Sequence, residues 1–235
     1  MSVINSYYID SSAPTPISVV DTNTLGTTTG DYTMTMPTNV IGDLLVIVLS
    51  RITTGATTVP SSAGEIWNSM FINTSGGSTV VVYVCTVRNG VVANATFSHS
   101  SNPTFAASLV AYSLRGTSTQ STTDNIIGTP NITSGNPVCP SIPINTDGAI
   151  VFNCAHRKNT HTTVLGYPSE FTNTLSVDCL SGNPAYQTTS MSAVKITPAL
   201  SGTVISSGGG FSVLSAGSYK AITFSIRRDK TVFHI

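Results

Sequence analysis

Charged residues are scarce in this chain of 235 residues, where Lys, Arg, Asp and Glu together make up only 9%. A typical globular domain carries about 25%. The ten Lys and Arg balance the ten Asp and Glu, so the formal net charge is zero. This composition excludes a disordered chain, which combines low hydrophobicity with high net charge. It also lacks the basic face that a nucleic-acid binder needs, so we expect no nucleic-acid partner.

Signals of several other protein classes are missing too. Glutamate occurs only at Glu65 and Glu170, which is too little for a coiled coil or a long-helix protein. The longest apolar runs, residues 44–49 and 80–85, have the length of strands and fall well short of the ~18 residues that span a membrane. No basic and apolar signal segment opens the sequence. We therefore expect no membrane partner, and synthesis and assembly in a cytoplasm.

The four cysteines show no paired spacing. Cys85 and Cys154 lie inside apolar segments, whereas Cys139 and Cys179 stand alone, and no CxxC motif occurs. This pattern favours free, buried thiols over disulfides, although the spacing alone leaves a disulfide open.

Ser, Thr, Val and Ile are abundant, and Gly and Pro recur about every ten residues, which is typical of an all-β protein with short strands. The segment 117–137 is predicted to be a loop, and residues 1–29 a polar N-terminal arm. The predicted strands cover residues 32–36, 44–52, 66–73, 79–87, 95–99, 105–115, 138–145, 149–158, 170–174, 186–195, 203–206, 211–214 and 219–228.

The two halves of the sequence resemble each other. A glycine followed by an apolar run that ends in arginine occurs at 42–51 and again at 148–157, and the two glutamates follow at matching places. Each half then closes with an aromatic-Ser-aliphatic-Arg sequence, at 112–115 and 224–227. Three matches in the same order indicate an internal duplication.

The duplication predicts pseudo-repeats at about 30–116 and 138–229. We expect them to form one domain over residues 1–235, a jelly-roll-like antiparallel β-sandwich built from two duplicated halves. Two small separate sandwiches are the alternative. The predicted shared core contains Val46, Val48, Val82, Val84, Val110, Tyr112, Phe152, Cys154, Ile222 and Phe224.

Motifs for catalysis or metal binding are sparse. His156 and His161 lie five residues apart without a cysteine or carboxylate at ligand spacing, so we interpret them as exposed histidines and predict no metal. Glu65 and Glu170 are the one carboxylate pair that suggests glycoside hydrolysis, but their matching positions favour a structural role. We expect no catalytic residues, no cofactor and no enzymatic activity.

Binding candidates are aromatic or terminal. Trp67 and Tyr167 are candidates for contacts with a glycan, because aromatic rings stack on sugars, although a core position for Trp67 is the simpler interpretation. Apolar and basic residues near the two termini are candidates for an interface with neighbouring subunits. These interface candidates are Tyr7, Tyr8, Arg227, Arg228, Phe233 and Ile235.

A wider pattern is carried by Gly-Asp-Leu-Leu-Val at 42–46, Trp67, Val-Val-Val-Tyr-Val at 80–84, Ala-Tyr-Ser-Leu-Arg-Gly at 111–116, and Thr-Asp-Gly-Ala-Ile-Val at 146–151. This pattern resembles the duplicated β-sandwich modules encoded among bacteriophage virion genes, which serve as capsid decoration or as tail and fibre proteins. The likeness covers most of the chain, but the second half lacks the tryptophan. It implies no catalytic residues.

The resemblance leads to one functional expectation. The chain is expected to be a non-enzymatic viral structural protein, a capsid decoration or cement protein that binds and stabilises the virion lattice, assembled in the host bacterial cytoplasm. Its expected partners are the major capsid or tail proteins and further copies of itself. The alternative is a tail or fibre component, or a β-sandwich module that binds a carbohydrate or receptor such as a host glycan.

Overall fold

A computed structural model describes most of the chain. It covers residues 16–28, 30–52, 59–74, 77–98, 106–117, 123–158, 161–180, 187–215 and 217–228, and for 123–134 it describes the backbone. The described residues form strands, turns and irregular segments and no helix, so the predicted all-β class is confirmed. Within these ranges, therefore, no helix is long and apolar enough to cross a membrane.

Sixteen strands occur in the described residues. In the first half they are β1 (Ser18–Thr27), β2 (Tyr32–Thr35), β3 (Leu44–Arg51), β4 (Asn68–Asn73), β5 (Thr79–Thr86), β6 (Asn94–Phe97) and β7 (Ala107–Arg115). In the second half they are β8 (Thr123–Gly135), β9 (Ile142–Pro143), β10 (Ile150–Lys158), β11 (Val164–Gly166), β12 (Thr172–Cys179), β13 (Thr188–Ile196), β14 (Val204–Ile205), β15 (Ser212–Val213) and β16 (Gly217–Ile226).

Each half contributes one five-stranded antiparallel sheet. The first sheet has the order β1-β7-β3-β5-β4, and the second has the order β12-β13-β10-β16-β8. Read from its other edge, the second sheet runs β8-β16-β10-β13-β12. In this direction the two sheets have the same strand order along the chain. The corresponding strands are β1 and β8, β7 and β16, β3 and β10, β5 and β13, and β4 and β12.

The two sheets pack face to face around a shared core. One buried cluster combines side chains of β3, β5 and β7 with side chains of β10, β13 and β16. All ten residues predicted for the core belong to this cluster. Phe152 stacks on Phe224 with ring centroids 4.7 Å apart, and Tyr112 of the first sheet meets Phe152 edge-on at 5.2 Å.

The outer face of each sheet is buried as well. The pair β2 and β6 covers the first sheet through a cluster that includes Met34, Tyr83 and Phe97. Two small pairs, β9 with β14 and β11 with β15, adjoin the second sheet, where Ile142 and Phe211 belong to the outer cluster. Because both faces are covered, β3 and β5 are continuous apolar runs rather than alternating ones.

Besides β11, which was not predicted, and β9, which covers only two residues of the predicted strand 138–145, three segments differ from the prediction. The part of the predicted arm over 18–27 is an edge strand that pairs with β7, and most of the predicted loop 117–137 is strand β8, which pairs with β16. Strand β12 also extends to Cys179, beyond the predicted 170–174. All three are edge strands rich in Thr, Ser and Asn, so they lack the apolar run that marks the central strands.

The sandwich has two distinct ends. Strands β3 and β10 both begin at what we call the apolar end, near Leu44 and Ile150, and both finish at the polar end, near Arg51 and Lys158. The edge strands β1 and β12 approach closely near the polar end. A side chain on Gly26 would overlap the backbone carbonyl of Asp178, so this position requires glycine.

Candidate functional site

A pair of adjoining turns projects from the apolar end of the first half. The turn at 39–42 precedes β3, and the segment 87–92 follows β5. Asn39 joins them by donating from its side chain to the carbonyl of Val92 and accepting from the Val92 amide, each at 2.9 Å. We call residues 39–42 and 87–92 the first turn pair. Its exposed apolar residues are Val40 (47% exposed), Ile41 (66%) and Val91 (70%).

An equivalent arrangement lies in the second half. The turn at 144–149 precedes β10 and is hydrogen-bonded to the segment 199–204, since the amide of Gly148 donates to Ala199 and the amide of Gly202 donates to Ile144. We call residues 144–149 and 199–204 the second turn pair. It exposes Leu200 and Val204, which are 68% and 63% exposed. Both turn pairs therefore present aliphatic side chains at the same end of the sandwich.

The described ends of the chain also lie at the apolar end. Ser18, at the start of β1, is opposite Arg115, and Arg228 bridges to Thr117. The described chain therefore enters and leaves the sandwich at the end where the two turn pairs project.

The basic interface candidates at the C-terminus, Arg227 and Arg228, are half-buried at this end, and the Arg228 side chain lies against Gly148. The other interface candidates lie outside the described residues; they are Tyr7, Tyr8, Phe233 and Ile235.

The first turn pair borders a surface groove of about 360 Å³. The groove lies between residues 61–63 and residues 91–96, and its lining is neutral and mostly small. Ser62 is already engaged, because its hydroxyl donates to the Asn94 carbonyl at 2.8 Å and accepts from Trp67 Nε1 at 3.0 Å. The side chain of Asn94 is exposed at the groove.

The structure corrects the prediction that Trp67 contacts a glycan. Trp67 is only 5% exposed and belongs to the cluster beneath β2 and β6, so its ring offers no face to a sugar. Tyr167 is half-buried and packs edge-on against Phe211 with ring centroids 5.9 Å apart. The core position of Trp67 follows from the apolar side chains that surround it in this cluster.

Glu65 and Glu170 have separate structural roles. Glu65 Oε1 accepts the backbone amides of Arg88 and Asn89 at 2.8 and 2.6 Å, which fixes the turn after β5. Glu170 forms an ion pair with Lys195 at 2.5 Å, and this pair lowers the pKa of Glu170. The two glutamates share no partner in these contacts, and each binds within its own half.

A titratable pair is buried at the polar end of the core, where exposed histidines were expected. His156 is 2% exposed and lies directly opposite Lys220 in the pairing of β10 with β16. Burial, together with the positive charges of Lys220 and Lys158, lowers the pKa of His156 to about 3. The prediction failed because it treated the end of β10 as exposed. His156 is four residues from Phe152 on this strand, so both side chains point to the inner face. His161 is exposed as predicted.

Beside this pair, hydroxyl groups join the two sheets. Ser108 of β7 lies 2.6 Å from the Ser190 hydroxyl and accepts from Thr188 at 2.9 Å, both on β13. Tyr112 of β7 lies 2.5 Å from the Ser192 hydroxyl. All these groups are buried, so their hydrogen bonds fix how the two sheets are aligned.

The cysteine prediction is confirmed for free thiols. Cys85, Cys139, Cys154 and Cys179 are all buried and unpaired, and burial raises the pKa of each thiol. In the described part of the chain, no group of three or more His, Cys, Asp or Glu residues is placed to hold a metal ion.

Sequence reasoning missed the turn pairs and Lys220. The turn pairs carried a weak signal, since the apolar Val40, Ile41 and Leu200 each lie within two residues of a glycine. For Lys220 the signal was its spacing, because every second residue of a strand shares a face and Ile222 and Phe224 lie on the inner face of β16. Comparison of the chain with protein-family models, curated proteins and solved structures finds no match to any of them.

Proposed function

We propose that this chain is a non-enzymatic structural protein of a bacteriophage virion, a capsid decoration or cement protein that binds and stabilises the particle lattice. The observation that supports this proposal is that both turn pairs and the described chain ends lie at the same end of the sandwich. The two turn pairs expose Ile41, Val91, Leu200 and Val204 there, and the described chain begins and ends at the same end. A rigid body that presents two such turn pairs side by side suits docking on a repeating surface.

The partner in this proposal is the major capsid protein, and neighbouring copies of the chain pack beside it. Zero net charge favours such packing, because copies at high local density do not repel one another. In this proposal, Tyr7, Tyr8, Phe233 and Ile235 remain the candidates for contacts with these neighbours. If the chain is instead a tail or fibre component, the same surfaces bind a tail protein. In both cases the virion is assembled in the host bacterial cytoplasm.

We further propose that the two halves are jelly-roll-like and arose by internal duplication. The matching strand order of the two sheets and the equivalent positions of the two turn pairs support this proposal. After duplication, one chain presents two similar contact sites. Because both sites are on one rigid body, binding at the first raises the effective concentration of the second.

The test is cosedimentation of the purified chain with virus particles. These particles are produced from the genome that encodes the chain, after its gene has been deleted. We expect saturable binding, and we expect the double variant Ile41→Ser, Leu200→Ser to weaken it at least tenfold, because two apolar contacts are removed. Leu214→Ser is the matched control, since Leu214 is 69% exposed near the polar end. Absence of binding by the wild-type chain would contradict the proposal.

The groove beside the first turn pair supports a second candidate function, binding of a neutral host glycan or receptor. Its lining combines hydroxyl and amide groups with small apolar residues, which suits a polyhydroxylated ligand. Glycan-array binding that is lost in Asn94→Ala and kept in Trp67→Phe would support this candidate. An array without any bound glycan would exclude it for the glycans tested.

A further inference from the structure

An amine and a carboxamide from opposite sheets meet at the polar end of the core. Lys220 of β16 extends across the space between the sheets, and its Nζ lies 3.1 Å from Oδ1 of Asn73, the last residue of β4. The same Nζ donates to the carbonyl of Ser78 at 2.7 Å. Lys220 is only 5% exposed and Asn73 is half-buried, so the contact is largely shielded from water.

The environment favours a reactive amine. Only the neutral amine is a nucleophile, and burial is the main cause that lowers the pKa of Lys220 to about 8, with a smaller contribution from the charge of Lys158. A larger fraction of Lys220 is therefore neutral near pH 7 than for an exposed lysine. The 3.1 Å hydrogen bond from Nζ to Oδ1 also holds the amine beside the carboxamide whose Cγ it attacks in the reaction proposed below.

We propose that Lys220 and Asn73 form an intramolecular isopeptide bond that links the two sheets covalently. The lone pair of Lys220 Nζ attacks Cγ of Asn73 and forms the new C–N bond. The bond between Cγ and Nδ2 then breaks, Nδ2 takes up a proton released by Nζ, and one molecule of ammonia leaves. The reaction needs no oxidant, reductant or further reactant.

His156 is the group that moves this proton. It lies opposite Lys220 in the strand pairing, and within the described residues neither of its ring nitrogens has a hydrogen-bond partner that meets ordinary geometry. Its lowered pKa keeps the imidazole neutral near pH 7, with only a small opposing effect of the Thr189 backbone. A neutral imidazole both accepts a proton and donates one, so it carries the proton from Nζ to the leaving Nδ2.

The bond would close a long loop, because its two residues are 147 positions apart in the chain. Such a cross-link restricts the unfolded chain and holds β4 and β16 together under load. This inference rests on the Lys220–Asn73 geometry and does not depend on the proposed function. A chain without any virion role would carry the same bond.

The test is the intact mass of the purified full-length chain under denaturing conditions. We expect a mass lower than the sequence mass by one ammonia, and a branched tryptic peptide that joins the β4 and β16 segments. On a denaturing gel, the cross-linked chain should migrate differently from the unlinked Lys220→Arg variant. A wild-type chain that keeps its full mass after incubation at pH 9 would overturn the proposal.

Two variants and one control make the mass measurement specific. Ammonia is also lost when a succinimide forms at Asn89-Gly90, so Lys220→Arg must restore the full mass; a low mass that persists in this variant overturns the proposal. Asn73→Ala must restore the mass expected for its sequence. Lys158→Arg, which keeps a charge beside the pair, should leave the bond intact.

The role of His156 is tested by the rate of bond formation. After refolding from denaturant, His156→Gln should lose ammonia about a hundredfold more slowly than the wild-type chain, in line with the loss of a general acid–base group. Fluorescence of the buried Trp67 reports whether the variant has refolded. A refolded variant that forms the bond at the wild-type rate would remove His156 from the reaction.

Discussion

The two sheets have the same strand order, but their inner faces carry side chains of different size. On the matched central strands, Val46 of β3 corresponds to Phe152 of β10, and Ser50 corresponds to His156. All four residues are buried. At these two positions the first sheet therefore has a small side chain where the second sheet has a large one.

The same exchange occurs on the neighbouring strands, where Ser108 of β7 corresponds to Lys220 of β16. Small residues on one sheet leave room for large residues on the other, and close packing requires such complementarity. The two faces are therefore not interchangeable. The difference indicates that each half needs the other to fill its core, so the shared core makes the halves interdependent.

The largest expected effect comes from truncating the large partner at a matched position. Phe152→Ala should lower the free energy of unfolding by about 3 to 5 kcal/mol, since it removes the ring that stacks on Phe224 and meets Tyr112. Val46→Ala removes less apolar surface and should cost about 2 kcal/mol. Urea denaturation measures both, and equal costs would contradict the size asymmetry.

At the matched position of Ser50 and His156, only the second sheet should respond to pH, since Ser50 does not titrate. The pKa of His156 is 6.5 in the unfolded chain and about 3 in the folded chain, so between these values the unfolded state binds the extra proton. The contribution of neutral His156 to the free energy of unfolding is fully present above pH 6.5 and is lost as the pH falls towards 3. The loss is at most about 1.4 kcal/mol per pH unit.

This contribution is measured by denaturing the wild-type chain and His156→Gln between pH 7 and 4 and comparing their free energies of unfolding. We expect a shallower loss of stability in the variant. His161→Gln, at an exposed histidine of the same region, is the control and should follow the wild-type curve. Parallel curves for wild type and His156→Gln would show that the buried imidazole contributes nothing to the acid response.

A smaller effect is expected from the hydroxyl contacts between the sheets. Ser108→Ala and Ser190→Ala should each lower the free energy of unfolding by about 1 kcal/mol, because each leaves a buried hydroxyl short of a partner. The double variant should cost less than the sum of the two single variants, since both remove one contact. Additive costs would mean that this contact does not couple the sheets.

The smallest effect on stability is expected at the turn pairs. Ile41→Ser and Leu200→Ser should change the free energy of unfolding by less than about 0.5 kcal/mol, because both side chains are exposed. Their loss should instead be seen in particle binding. A large destabilisation would show that these residues support the fold and are poor probes of docking.

The sequence revealed the central strands because their side chains are apolar on both faces. Runs such as Val80–Val84 are buried throughout, and the matched glycine turns before β3 and β10 marked the two halves. The edge strands β1 and β8 were missed because polar residues of an edge strand resemble a loop.

Less of the candidate site was predictable from the sequence. The contact of Lys220 with Asn73 joins residues 147 positions apart, and only the packing of one sheet on the other brings them together. The burial of Trp67 likewise depends on how β2 and β6 cover the first sheet. The turn pairs were missed because a sequence pattern does not specify which apolar residues remain exposed.

The interdependence of the two halves is tested most directly by calorimetric unfolding of the full chain. One core shared by both sheets predicts a single transition whose calorimetric enthalpy equals its van't Hoff enthalpy, and Phe152→Ala should move this transition as a whole to lower temperature. Two transitions, with only one displaced by Phe152→Ala, would show that the halves are independent domains and would contradict the account.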